Sequence, residues 1–139
     1  MITAVDTIVL LDVFGADPRF AAGSAEALRR CLREGSLVAS EVVWAETATV
    51  FGDAQRFQDA MEKLPVSFSP MLQEAALKAA QAWRRYRAGG GPRIRTAADF
   101  MIGAHAMVAA DRLLTRDRGF FRRYFGRLRI IDPTAAKRP

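Results

Sequence analysis

Apolar runs of strand length alternate with longer segments of helical period along most of the chain. Parallel strands need long crossovers, usually helices, so this alternation predicts an α/β domain built on a parallel sheet. The first strand is predicted over Thr3 to Asp6, with a short helix through Val9, Leu10, Val13 and Phe14. Gly15 and Asp17-Pro18 break the chain, Ser24 is the expected N-cap of a helix reaching Glu34, and Gly35 ends it. Leu37 to Ala39 reads as a strand, and Ser40 can cap the helix that carries Glu46. Beyond Gly52-Asp53 a further helix runs to Leu64, and Val66 to Phe68 is an ambiguous short strand. Pro70 suits the first turn of a long helix ending near Ala88, and Gly89 to Pro92 reads as a loop. A helix over 97–110, a strand over 113–115, a helix over 120–125 and a strand over 128–131 complete the pattern.

A chain of 139 residues fits one domain, expected over residues 1–132, with a frayed tail over 133–139. The single cysteine, Cys31, allows no internal disulfide, which fits a reducing cytosol, and it reads as a buried filler. No signal-peptide pattern is present, and the weakly polar stretch Met101 to Ala110 falls far short of the ~20 residues a membrane span needs. The expectation is a soluble, cytoplasmic protein with no membrane partner. The net charge is +6, and nearly all the basic residues are arginine, gathered in the second half. Arginine suits bidentate phosphate contacts, so a polyanionic ligand is one reading and a plain solvated surface the other.

Four carboxylates stand inside otherwise apolar stretches: Asp6, Glu46, Asp99 and Asp117. An ionised carboxylate beside a core is costly unless its charge is compensated, and no lysine accompanies these. Glu46 shares helical spacing with Val42, Val43, Thr49 and Val50, which places it on the stripe expected to face the core. Asp99 is spaced with Ile102, Gly103 and Ala106, although an acid in a first helical turn is also favoured by free backbone N–H groups. Asp6 ends one predicted strand and Asp117 follows another, where an open parallel sheet binds its ligands. Turn or capping roles are the competing reading for both.

A shared divalent cation would account for all four, and an all-oxygen set selects Mg2+ or Mn2+. Zinc and a nucleophilic triad are disfavoured because His105 is the only histidine and falls on another helix face, as a packing or partner-surface residue. Gly89-Gly90-Gly91 is not followed by Lys-Ser or Lys-Thr, so there is no P-loop. Phe14, Trp44, Phe51, Trp83 and Tyr86 read as core or dimer-interface aromatics. Acids that hold a hard metal on a basic chain match the needs of phosphodiester hydrolysis by activated water.

These residues resemble the PIN-domain family, and within it the VapC-like toxin ribonucleases of toxin–antitoxin pairs. The matching segments are VDTIVLLDVF at 5–14, SEVVWAETATVF at 40–51, AADFMIGAHA at 97–106 and LLTRDRGFF at 113–121, in family order. The resemblance implies a three-layer α/β/α sandwich with a central, mainly parallel sheet of four or five strands. It implies a metal-dependent endoribonuclease acting on RNA, usually a homodimer neutralised by an antitoxin protein. Asp6, Glu46, Asp99 and Asp117 take the family's metal-site positions, and Thr115 takes its hydroxyl position. Arg93 and Arg95 precede Asp99, and Arg116 and Arg118 flank Asp117; all four are candidates for RNA phosphate contacts. They could equally pair with an acidic antitoxin segment or with the site's own carboxylates. Asp12 reads as a helix-surface residue or RNA-side neighbour rather than a ligand. Where the family commonly carries Asn or Ser, this chain has Ile8, which keeps open a second reading: a catalytically impaired RNA- or protein-binding module.

Overall fold

The computed structural model describes residues 1–92 and 94–135. Four-residue strand β1 (Ile2–Val5) buries all but its first residue and leads into α1 (Thr7–Phe14). Then come α2 (Ala21–Glu34), β2 (Ser36–Ala39), α3 (Glu41–Ala48), α4 (Ala54–Lys63) and β3 (Val66–Phe68). The second half contributes α5 (Gln73–Ala88), α6 (Ala97–Ala109), β4 (Arg112–Leu114), α7 (Arg118–Tyr124) and β5 (Ile130–Ile131). The sheet has five strands in the order β3-β2-β1-β4-β5, and every pairing is parallel. The ambiguous segment 66–68 is thus an edge strand, with Val66 opposite Leu37.

This order fixes where a site can form. From β1 the chain moves outward through β2 and β3, then returns to the other side of β1 with β4 and β5. The direction of winding reverses between β1 and β4, and crossover helices leave a crevice beyond the strand ends at such a point. Helices cover the sheet as an α/β/α sandwich around Val9, Leu10, Leu28, Leu37, Phe100, Leu113 and Leu114, each fully buried. Burying one such aliphatic side chain contributes about 1.5–3 kcal/mol. Cys31 is buried among them.

Local departures from the expected pattern have physical causes. Helix α2 starts three residues before Ser24, because Asp17 Oδ1 accepts the N–H groups of Arg19 (2.8 Å) and Phe20 (2.9 Å) and turns the chain early. Ser24 is therefore buried inside the helix. Gly35 follows because the chain there touches the N-terminus: a Cβ would lie 1.8 Å from the Met1 carbonyl oxygen. Pro70 lies in the extended link before α5, whose N-cap is Leu72, so it is not in the helix's first turn. Ser40 holds the N-cap position of α3, yet its hydroxyl makes no capping bond. Of the expected tail, Asp132 Oδ1 receives the N–H (2.8 Å) and hydroxyl (2.7 Å) of Thr134, and residues 136–139 lie outside the described region.

Not every late arginine is a surface charge. Arg112 on β4 is 1% exposed, donating from Nε to Thr3 Oγ1 (2.8 Å) and pairing with Glu34 (2.9 Å) across the sheet's other end.

Candidate acidic site at the carboxyl edge of the sheet

The crevice beyond β1 and β4 is a cavity of about 480 Å³ lined by Asp6, Thr7, Ile8, Leu11, Glu46, Asp99, Ile102, Arg116 and Asp117. All four acids singled out from the sequence face it. Asp6 is placed by the end of β1, its N–H bonded to the Leu114 carbonyl of β4 at 3.0 Å. Thr115, fully buried, donates its hydroxyl to Asp6 Oδ2 at 2.7 Å and accepts the Asp117 N–H at 3.0 Å. One side chain thereby ties the acids of two strands together.

Burial pushes the Asp6 carboxyl up from 3.8 to about 6, and the neighbouring charges of Asp117 and Asp99 add to the rise. The hydrogen bonds from Thr115 and from the Thr7 backbone pull the other way without cancelling it. Asp6 is therefore a desolvated carboxyl with two further acids nearby.

The remaining acids reach the cavity differently from what spacing implied. Glu46 is exposed, not on the core stripe; Val43 and Thr47 hold that stripe, while Val50 of the supposed apolar face is 59% exposed. The hydroxyl of Thr7, the first residue of α1, donates to Glu46 Oε1 at 2.8 Å and holds it over the cavity. Asp99 is half-buried in a capping box with Thr96, accepting the Thr96 N–H at 3.0 Å, so its helix-capping role and its cavity position coexist. Asp117 is paired with Arg95, whose second nitrogen lies 3.3 Å from Oδ1.

Asp12 differs most from expectation. It is 3% exposed and is not a surface residue: Arg116 grips it with two bonds, of 2.8 and 3.0 Å, and Ser24 donates to it at 2.7 Å. The Arg116 guanidinium also lies 3.7 Å over the Phe20 ring. Arg118 is half-exposed and only loosely paired with Asp132 at 3.8 Å. Arg93 lies outside the described residues. His105 is buried, shares a 3.0 Å hydrogen bond with Ser69, and is pushed down in pKa by that burial; it is a packing residue.

An oxygen-only donor set around a buried carboxylate fits a hard divalent cation in kind. The arrangement is open: each of the four acids has a partner within the protein, and among the described residues no three acids close on a common centre. Thr7, the Ser24–Asp12 contact and the Asp12–Arg116 pair escaped the sequence reading. The Thr at N1 beside the strand-end Asp was the one local signal available.

A parallel α/β sandwich carrying an acidic crevice at its point of reversal defines a class of compact domain, and the comparisons say which one. The PIN domain profile matches residues 3–126, and the chain belongs to that family. VapBC2 from Rickettsia felis, solved bound to a promoter DNA fragment, has a similar chain: TM-score 0.73 at 15% identity, covering 95% of this chain and 98% of that one. VapBC-1 from nontypeable Haemophilus influenzae gives 0.73 at 20%, covering 97% and 100%. FitAcB from Neisseria gonorrhoeae gives 0.66 at 21%, covering 96% and 98%. At these identities the likeness is one of fold. No curated protein matches the chain. Among the described residues no helix is long and apolar enough to cross a membrane.

Proposed function

We propose that this PIN domain is a metal-dependent endoribonuclease, the toxin of a toxin–antitoxin pair. The observation that carries the proposal is the convergence of Asp6, Glu46, Asp99 and Asp117 on one cavity at the sheet's reversal point. Asp6, Glu46, Asp99 and Asp117 would hold Mg2+ or Mn2+. When bound, such an ion lowers the pKa of water and offsets charge on the phosphoryl group being transferred. Thr115 keeps Asp6 oriented, and Thr7 keeps Glu46 turned inward. Arg95 and Arg116 are held by carboxylate partners, and Arg118, half-exposed and only loosely paired with Asp132, keeps the most N–H donors open among the described candidate phosphate contacts.

The solved structures of the same fold include toxin–antitoxin complexes, which supports an antitoxin partner. A groove of about 1070 Å³ floored by Leu11, Phe14, Val50 and Phe51 and rimmed by Arg56, Asp59, Glu62 and Lys63 offers such a partner an apolar seat. Exposed Phe68, Leu72 and Leu77 are suited to a homodimer contact.

Purified protein incubated with RNA should cleave it in Mg2+ or Mn2+ and not in EDTA. Asp6→Asn and Asp99→Asn should stay folded and lose cleavage. Wild-type, EDTA-sensitive cleavage by either variant would overturn the site. A second reading, an RNA- or protein-binding module without catalysis, is favoured by Ile8, which puts hydrocarbon on the cavity wall. RNA affinity with no cation-stimulated cleavage would establish it.

A further inference from the structure

Arg95 links two cavities. On one side it pairs with Asp117 at the acidic site; on the other it lines a separate hollow of about 640 Å³ with Trp83, Tyr86, Arg87 and Gly91. That hollow is the acidic cavity's electrostatic opposite, since among the described residues both of its charged lining residues are arginines. Its volume lies in the range that holds a small organic ligand.

The hollow is also shaped by aromatic stacking. The partly buried Trp83 indole stacks on buried Phe100, with centroids 5.8 Å apart and planes 13° from parallel. The exposed Arg87 lies over the Trp83 ring at 4.5 Å, and Arg95 lies over Phe120 at 4.2 Å. Gly91 lets the loop close against the hollow, because a Cβ there would come within 2.6 Å of several Tyr86 ring atoms. The Tyr86 hydroxyl donates to the Pro92 carbonyl and fixes that closure. Aromatic faces and guanidinium planes side by side are the surface on which unpaired bases stack, and arginine beside them takes the backbone phosphate.

We propose that this hollow is a nucleotide subsite for single-stranded RNA: a base flanking the scissile linkage stacks on the Trp83–Arg87 platform, and its phosphate meets the N–H donors of Arg95 that Asp117 does not engage. Placing the base next to a scissile linkage rests on the nuclease reading; the binding does not. In a duplex the bases stack on one another and are closed to such a platform, so the subsite selects unpaired RNA.

The test measures anisotropy of a fluorescent single-stranded oligoribonucleotide with the full-length protein in EDTA, where binding is separated from cleavage. Arg87→Ala and Trp83→Leu should each weaken binding about tenfold, in line with the loss of one stacked base. Arg84→Ala, which removes an equal exposed charge on the same helix, should weaken it far less. Trp83→Phe should recover most of the affinity lost in Trp83→Leu. In a Trp44→Phe background, where Trp83 is the remaining tryptophan, the oligonucleotide should quench its fluorescence. Undiminished binding by Arg87→Ala or by Trp83→Leu, an equal loss in Arg84→Ala, no wild-type binding, or equal affinity for duplex RNA would each overturn the subsite. Cleavage in Mg2+ is scored separately. Arg87-dependent binding without cleavage sinks only the nuclease reading, and cleavage with Arg87-independent binding sinks only the subsite.

Discussion

The hydroxyl of Thr115 reaches Asp6 Oδ2 at 2.7 Å although the two residues lie 109 positions apart. The parallel pairing of β1 and β4, with Val5 opposite Leu114, makes that contact possible. Thr115→Val should keep the fold and its volume while leaving Asp6 without its side-chain donor. Hydrogen bonds to charged groups contribute about 1.5–3 kcal/mol, so RNA cleavage should fall roughly tenfold or more. Thr115→Ser should retain most of it. The comparison is made by single-turnover cleavage of one RNA, and wild-type rates in Thr115→Val would remove Thr115 from the site.

Asp6 predicts a pH signature in the metal-free protein. Its folded pKa, about 6, lies above the unfolded 3.8, so the folded chain holds the proton more tightly. Its contribution is therefore most favourable below pH 4 and is lost as pH rises through 6. That difference corresponds to about 3 kcal/mol. Urea midpoints in EDTA at pH 4.5 and 7.5 should show wild type gaining on Asp6→Asn at the acid end. Parallel profiles for the two proteins would show that Asp6 is not perturbed.

Cation binding should stabilise the fold through the same acids. At a hundredfold excess over Kd, a ligand specific for the native state adds about 2.7 kcal/mol. Mg2+ or Mn2+ should raise the thermal midpoint of wild type, and Asp6→Asn or Asp117→Asn should remove the rise. An equal rise in all three proteins would place cation binding elsewhere.

Asp12 should behave as structure rather than chemistry. Removing one partner from a buried ion pair leaves the other charge uncompensated and costs about 3–5 kcal/mol. Asp12→Ala should lower stability by that order in urea unfolding. Arg116→Met in the same background should restore part of the loss, since the stranded guanidinium is removed with it. An additive double mutant would show that the pair is not coupled.

The strand-end acids could be found from the chain alone because a parallel sheet puts its ligands at one edge, and Asp6 and Asp117 close two apolar runs. Glu46 lines the same cavity as the other three acids, but it is exposed and not on the core stripe that its spacing implied. The short α3 offers apolar residues on more than one side, and spacing does not say that Val43 and Thr47 turn inward while Val50 faces water. Ser24 was read as a helix start because a serine before an apolar stretch is the usual cue; Asp17 supplied the stronger one, and Ser24 went to Asp12 instead. No local pattern could give Arg116 to Asp12, since their contact spans 104 positions.

With β1 and β4 both flanked by neighbours, the edges left to fray are β3 and β5. Asp6, Thr115 and Asp117 are attached to the inner strands, which are paired on both sides. Breathing at the perimeter would leave their spacing intact, and an inhibitor that merely loosened an outer strand would not reach them.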